Sequence, residues 1–188
     1  MRQALLIFAF SLGLSAADAT AADLPGADCI QGSAATPERA IEDCDALLME
    51  KATAEARAPD ILLARAEAFV RQGRLRPAVE DLGHVVTLRP DYTQAFLRRA
   101  ELHRTLAEAD AAIRDFSAAI RLDPTNTNAL FARAELYRAK IDRRRALADY
   151  ATVLRLDPTH EAARAGHKSL ALEIERLGAT MPTQPSGR

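Results

Sequence analysis

The sequence contains no tryptophan, and aromatic residues make up only 5% of its 188 residues. The aromatic and β-branched residues that strands favour are scarce beside alanine, leucine, arginine and glutamate, which favour helices. Charge of one sign is also lacking: 25 lysines and arginines face 26 aspartates and glutamates, for a formal net charge of −1. This balance gives no indication of electrostatic binding to nucleic acid or anionic lipid. We therefore expect an all-α protein with no nucleic-acid partner.

Motifs for catalysis are absent from the sequence. It has no glycine-rich phosphate loop, no G-x-S-x-G elbow and no H-E-x-x-H metal motif. Of four histidines, His103 falls at a core position of a predicted helix, and His160 and His167 have no cysteine or carboxylate at tight metal spacing. We expect no metal, no cofactor and no enzymatic activity.

A long hydrophobic run is also missing, but a short one lies at the N-terminus. Arg2 precedes an apolar run from Ala4 to Leu14, which is too short to span a hydrocarbon core of about 30 Å. Small residues then offer signal-peptidase sites after Ala19 or Ala21. The pattern predicts a cleavable signal peptide over residues 1–21, a periplasmic or secreted protein, and no membrane insertion after cleavage.

Cysteine occurs only twice, at Cys29 and Cys44. In an oxidising compartment these two can pair in only one way, and the bridge would stabilise the fold by roughly 3 kcal/mol through a loop of about 15 residues. A redox role would favour a C-x-x-C pair, which the sequence lacks. We expect a structural disulfide.

An internal repeat is the main signal in the sequence. Pro90, Pro124 and Pro158 lie 34 residues apart, and each is the last residue of a related phrase, Leu-Arg-Pro or Leu-Asp-Pro. The rest of the period repeats as well, which marks a solenoid of supersecondary units. The other matching positions are Ala66/Ala100/Ala134, Ala78/Ala112/Ala146, Asp81/Asp115/Asp149 and Leu82/Phe116/Tyr150.

Each copy has the pattern of two amphipathic helices joined by a turn. In the middle copy, Phe96, Ala100 and His103 follow the spacing of one helical face. A second apolar face follows the turn, and Pro124 ends it because proline cannot donate a helical hydrogen bond. The small alanines allow the two helices of a copy to approach closely.

With its 34-residue period and helix–turn–helix unit, the pattern resembles the tetratricopeptide repeat (TPR). The three units cover residues 59–92, 93–126 and 127–160. Arginine stands where the family usually has leucine in the first helix, and the glycine between the helices survives only as Gly73. The resemblance implies a right-handed α-solenoid, similar to small exported bacterial TPR proteins.

The ends of the chain fit this arrangement, because a stack of repeats needs polar caps. Residues 37–58 are expected to form a half-repeat helix and a linker, preceded by an irregular segment over 22–36. Residues 161–178 are expected to form a capping helix that stops at Gly178, and residues 179–188 a disordered tail.

The resemblance also implies where a partner binds. In TPR proteins the first helices line a concave groove that holds a peptide or a partner's helix. The candidate groove residues form an apolar row beside an acidic row, with basic groups toward one end, and suit a partner with apolar anchors and some positive charge. They are Leu63, Leu97, Phe131, Glu67, Glu101, Glu135, Val70, Arg104 and Arg138. The lysine and asparagine set by which some TPR domains clamp a C-terminal carboxylate is missing.

Simpler interpretations remain open for these residues. The glutamates could form a solvated face, and the apolar row could serve packing between repeats. The repeated arginines and aspartates are expected to be structural ion pairs between the helices of a unit. They are Arg65 with Asp81, Arg99 with Asp115, and Arg133 with Asp149.

Three functions follow from these patterns. The first is an adaptor that binds a protein or peptide within an envelope assembly. The second is a structural protein of the envelope that self-associates as a homo-oligomer. The third is a metal- or redox-active protein that uses the histidines or the cysteine pair.

Overall fold

A computed structural model describes Cys29 and residues 36–180, with side chains up to Leu177. Within this part of the chain all regular structure is helical. The helices are α1 (Pro37–Met49), α2 (Lys51–Arg71), α3 (Leu75–Leu88), α4 (Thr93–Thr105), α5 (Ala109–Leu122), α6 (Thr127–Ala139), α7 (Arg143–Leu156) and α8 (Glu161–Thr180). The predicted signal peptide, the predicted irregular segment apart from Cys29 and Thr36, and residues 181–188 of the predicted tail lie outside the described residues.

The helices stack in chain order. Helices α2 and α3, α4 and α5, and α6 and α7 form three tightly packed pairs, and each pair contacts the next through its second helix. Helix α1 packs against α2 at one end, and α8 packs against α7 at the other. This neighbour-only packing makes the protein an all-α solenoid.

The turns inside the three pairs share one geometry although their residues differ. Gly73, Ala107 and Ile141 all adopt left-handed backbone, with φ of 73°, 58° and 61°. In each turn the next residue's amide donates across the turn to the residue five positions before it, as from Glu108 N to His103 O at 2.8 Å. Only glycine adopts this conformation without strain, so the fold imposes it on the alanine and isoleucine copies.

The core is built from the positions that repeat in the sequence. Ala66, Ala100 and Ala134 are buried on the first helices, and they leave room for one large side chain from each second helix. Those large side chains are at most 2% exposed: Leu82, Phe116 and Tyr150. Because each large group packs against small ones, adjacent helices approach closely without voids.

The predicted linker before the first unit is wrong. Residues 51–58 belong to α2, which begins eight positions before residue 59 and continues through Pro59. Alanine, glutamate and arginine dominate this stretch and are strong helix formers. Proline costs a helix the hydrogen bond of its missing amide, but packing of α2 against both α1 and α3 outweighs that loss.

Helix α8 also differs at its end, since it continues through Gly178 to Thr180 instead of stopping at the glycine. A glycine stops a helix when it adopts left-handed backbone and turns the chain away. Inside a helix it costs only about 1 kcal/mol relative to alanine, which the helix-forming residues before it can offset.

Helix α8 packs against α7 at another glycine, Gly166. A Cβ added there would lie 2.7 Å from Tyr150 Cζ and 2.9 Å from the Tyr150 hydroxyl oxygen. These distances are shorter than carbon and oxygen atoms tolerate, and Tyr150 is fully buried, so its ring has little room to move. The glycine therefore sets how closely α8 approaches α7.

We predict that Gly166→Ala destabilises the protein by about 1–3 kcal/mol, the usual cost of overpacking a well-filled core. Urea unfolding would measure the change. Gly83→Ala in α3 is the matched control, because its Cβ would meet only Arg99 Nη1 at an ordinary 3.5 Å. Gly83→Ala should stabilise by about 0.5–1 kcal/mol through helix propensity. Equal effects of the two substitutions would contradict the close approach at Gly166.

Candidate functional site

The repeated arginines and aspartates connect the two helices of each unit. Arg65 Nε and Nη2 donate to the two carboxylate oxygens of Asp81 at 2.8 and 2.6 Å. The equivalent arginines of the other units bind Asp115 and Asp149 in the same way, at 2.7–2.8 Å. Hydrogen bonding to Asp81 raises the pKa of Arg65 above its ordinary value. These pairs position the first helices and face inward, away from any partner.

The predicted groove residues lie on the first helices α2, α4 and α6 along one side of the stack. Leu63, Leu97 and Phe131 are half-buried at equivalent positions. Each of the three lines a cleft: about 700 Å³ at Leu63, about 260 Å³ at Leu97 and about 410 Å³ at Phe131. The apolar row predicted from the sequence is thus partly accessible, and each of its members contributes to a concave surface.

The cleft at Phe131 is bounded by α6 on one side and α8 on the other. Phe131, Glu135 and Arg138 line it from α6, and small residues of α8 form the opposite wall. His160 packs on the Phe131 ring with centroids 4.9 Å apart. The small residues leave the backbone of α8 open to close approach; they are Ala162, Ala165, Gly166 and Ser169.

Each glutamate of the acidic row already pairs with an arginine on the same surface. Glu101 accepts from Arg104 at 2.6 and 2.8 Å, and Glu135 lies 3.4 Å from Arg138. Glu67 accepts two hydrogen bonds at 2.9 Å from Arg98. The row is therefore balanced in charge, which weakens the preference for a positive partner expected from the glutamates alone.

The Arg98–Glu67 pair also connects two units along the groove. Arg98 lies on α4, so the pair bridges the first helices of two successive units. The space at this bridge, next to Val70, is only about 40 Å³. The cleft at the bridge is thus smaller than those at Leu63, Leu97 and Phe131. Arg98 was not predicted as a groove residue, because its partner Glu67 is 31 positions away in the sequence.

A second feature that the sequence analysis did not predict is a hydrogen bond from a buried side chain to one glutamate of the acidic row. The Tyr150 hydroxyl donates to Glu135 Oε1. The equivalent residues of the other units, Leu82 and Phe116, carry no hydroxyl. Burial, with this bond to a carboxylate, raises the pKa of Tyr150 to about 12. Glu135 is therefore the glutamate held in place by the core.

We predict that Tyr150→Phe removes a pH-dependent part of the stability. Because the folded-state pKa of about 12 exceeds the ordinary value of 10.0, the phenolic proton is held more tightly in the folded protein. Its stabilisation is complete below pH 10 and is lost as the pH rises toward 12. Urea unfolding across this range should show a smaller alkaline loss in Tyr150→Phe than in wild type. Tyr92→Phe is the control and should behave as wild type.

Cys29 and Cys44 form a disulfide with a Cα–Cα distance of 5.0 Å. Both cysteines are buried and pack with Ile61 of α2. The bridge therefore holds Cys29 against the first two helices, beside the cleft at Leu63 that Cys29 helps to line.

The histidines make separate local contacts. His103 Nδ1 lies 2.7 Å from Glu108 Oε2, and Asp115 is 3.8 Å from Nε2. Contact with His103 is the main cause that lowers the pKa of Glu108. Among the described residues no group of three or more histidines, cysteines or carboxylates is arranged to hold a metal ion. No helix in this part of the chain has the length and apolar character needed to cross a membrane.

Comparisons with known proteins agree with this architecture. A family model described as tetratricopeptide repeat matches residues 93–126, which form the middle unit. No curated protein matches the chain in sequence. Among solved structures, a tetratricopeptide repeat protein from Parabacteroides merdae is 25% identical, with a TM-score of 0.65 over 71% of this chain and 52% of its own. The chain thus spans about half the length of that protein.

Two other structures share the fold at lower identity. MamA of AMB-1 is 16% identical, with a TM-score of 0.66 over 82% of this chain and 81% of its own. The Yersinia enterocolitica type III secretion chaperone SycD was solved with a peptide of the translocator YopD. It is 16% identical, with a TM-score of 0.55 over 60% of this chain and 91% of its own. With the repeat-family match over the middle unit and three stacked helix pairs at one period, the chain contains a tetratricopeptide repeat and has an all-α solenoid fold similar to that of tetratricopeptide repeat proteins.

Proposed function

We propose that this protein is a non-enzymatic adaptor that is exported to the periplasm and binds a protein or peptide segment in its groove, within an assembly of the cell envelope. The observation that carries the binding proposal is the row of clefts along the first helices. Equivalent residues of three successive units, Leu63, Leu97 and Phe131, each line one of them. An extended row of separate clefts, each with an apolar side chain in its lining, suits the spaced side chains of a peptide better than it suits one small molecule.

The comparisons support a binding role in general terms. SycD, which shares the fold, has been solved with a peptide of another protein. The matched repeat family is a protein-interaction scaffold and not a catalytic one. Since the groove lacks the lysine and asparagine clamp, we do not propose a free C-terminal carboxylate as its ligand.

Export is supported by two features of the sequence that are independent of each other. The first 21 residues have the charge, the apolar run and the small residues of a signal peptide. The Cys29–Cys44 disulfide suits an oxidising compartment. Intact-mass analysis of the protein from a periplasmic fraction tests this proposal. A mature chain that begins at Thr20 or Ala22 is expected, whereas a full-length cytoplasmic chain with two free thiols would refute export.

Site-specific photo-crosslinking tests the groove. A photoreactive phenylalanine analogue at Leu97 should capture a partner from the envelope fraction. The same analogue at Ala148, which is exposed on the second helix α7, is the control and should not capture it. Phe131→Ala together with Glu101→Lys should reduce capture at Leu97. Equal capture at Leu97 and Ala148 would refute the groove, and crosslinking mainly to a second copy would favour self-association instead.

A further inference from the structure

The cleft at the N-terminal end of the groove has more charged residues in its lining than the clefts at Leu97 and Phe131. At about 700 Å³ it is larger than the clefts at Leu97 and Phe131. Its apolar lining comes from Cys29, Leu63 and Ala64. Four charged residues complete it: Arg57, Asp60, Glu67 and Arg71.

Both carboxylates of this cleft are already bound by arginines from elsewhere in the stack. Asp60 lies 3.1 Å from Arg89 Nη2, at the end of the first unit. Glu67 accepts two hydrogen bonds from Arg98 of the second unit. A positively charged partner would therefore have to displace an existing ion pair at either position, which removes most of the gain in binding energy.

Arg57 is in the opposite situation. It lies on the first turns of α2, is exposed, and lines the cleft. Within the described part of the chain it makes no ion pair and no side-chain hydrogen bond. Arg57 lies in the N-terminal extension of α2, over residues 51–58, which were expected to be a linker and are helical. The helix thus places an uncompensated guanidinium beside the apolar residues Leu63 and Ala64 of the cleft.

We propose that this cleft binds an acidic segment of the partner that carries a bulky apolar residue. The apolar side chain would rest on Leu63 and Ala64, and a neighbouring carboxylate would pair with Arg57. Arginine and carboxylate can form two parallel hydrogen bonds, which adds orientation to the attraction. The proposal rests on the groove function above and reverses the charge preference that the glutamate row suggests from sequence.

Two synthetic peptides test the charge preference directly. Both peptides have leucine at the same positions. The remaining positions are glutamate in one peptide and lysine in the other. Fluorescence anisotropy with the disulfide-bonded mature protein should show about tenfold tighter binding of the glutamate peptide. Arg57→Glu should weaken that binding by about tenfold or more. Arg121→Glu, an exposed arginine of α5, is the matched control and should cause less than a twofold change at moderate salt.

A second set of titrations controls for competition by the chain's own acidic residues before Cys29. Asp23 and Asp28 precede Cys29 in sequence and could compete with an acidic peptide. The titrations are therefore repeated in Asp23→Asn/Asp28→Asn. Binding of the glutamate peptide in either background, lost in Arg57→Glu, supports the proposal.

Preference for the lysine peptide, equal binding of both peptides, no binding in either background, or indifference to Arg57→Glu would each overturn the proposal. Circular dichroism of Arg57→Glu excludes a folding defect as the cause of lost binding. The photo-crosslinking at Leu97 reports on the groove separately. Capture there without a glutamate preference would reject the acidic partner and leave the groove function intact.

Discussion

Asp115→Ala is expected to lower the free energy of unfolding by about 3 kcal/mol, the cost typical of breaking a buried ion pair by removing one partner. Asp115 is only 5% exposed and accepts two hydrogen bonds from Arg99 at 2.7 Å. Without it, the Arg99 guanidinium remains between α4 and α5 with no carboxylate to accept from both of its nitrogens. His103 loses a carboxylate 3.8 Å from its Nε2 as well.

Because Asp115 lies in the middle unit, its substitution should destabilise all three units. Repeat proteins owe their cooperativity to interfaces between neighbouring units, so a weakened central unit uncouples the two ends. Urea unfolding should show a lower midpoint and a broader transition than wild type. Asp91→Ala, at an exposed aspartate between two units, should change the unfolding free energy by less than about 0.5 kcal/mol.

A double substitution distinguishes the effect of losing the ion pair from the effect of leaving Arg99 buried without a carboxylate. Replacing both Arg99 and Asp115 by leucine removes the pair without leaving a buried charge, and should restore much of the lost stability. If Asp115→Ala proves as stable as wild type, the pair does not hold the helices together. If the double variant is less stable than Asp115→Ala, the loss has a cause other than the unpaired arginine.

Removing the disulfide by Cys29→Ala/Cys44→Ala is expected to cost about 3 kcal/mol. The two cysteines are 15 residues apart, and the bridge restricts a loop of this length in the unfolded chain. Alanine is chosen because Cys44 is fully buried, and serine would leave a hydroxyl in the core. Hydrogen exchange should show the loss concentrated in α1 and the start of α2, since the stack beyond α3 has its own interfaces.

A reducing agent provides the control for this prediction. It should destabilise the wild type to about the level of the double alanine variant and leave the variant itself unchanged. Insensitivity of the wild type to reduction would contradict a stabilising bridge. Because Cys29 lines the cleft beside Leu63, the double variant should also bind the acidic peptide more weakly.

The period, the helix pairs and the core positions could be predicted from the amino-acid sequence because they depend on local patterns. A helical face is a matter of residues three and four positions apart, and the repeat places the same face in three copies. The alanines at Ala66, Ala100 and Ala134 and the partners of the three buried aspartates follow from that register alone. The structure agrees at each of these positions.

The ends were predicted less well because the repeat gives no register there. Helix α2 begins at Lys51 and continues through Pro59, although proline alone suggests a boundary. Contacts of α2 with α1 and α3 stabilise that extension, and no local pattern encodes them. The extension matters for function because it places Arg57 beside the cleft.

The electrostatics of the groove depend on contacts between units that no local pattern reveals. Arg98 and Glu67 are 31 positions apart, and Tyr150 reaches Glu135 from a different helix. The sequence shows a row of glutamates, but the charge that the row presents depends on which side chains of neighbouring helices reach it. Long arginine side chains can turn to any of several carboxylates, and only the packed stack selects one. The repeat architecture therefore follows from the order of residues, whereas the shape and charge of the groove follow from how the units pack together.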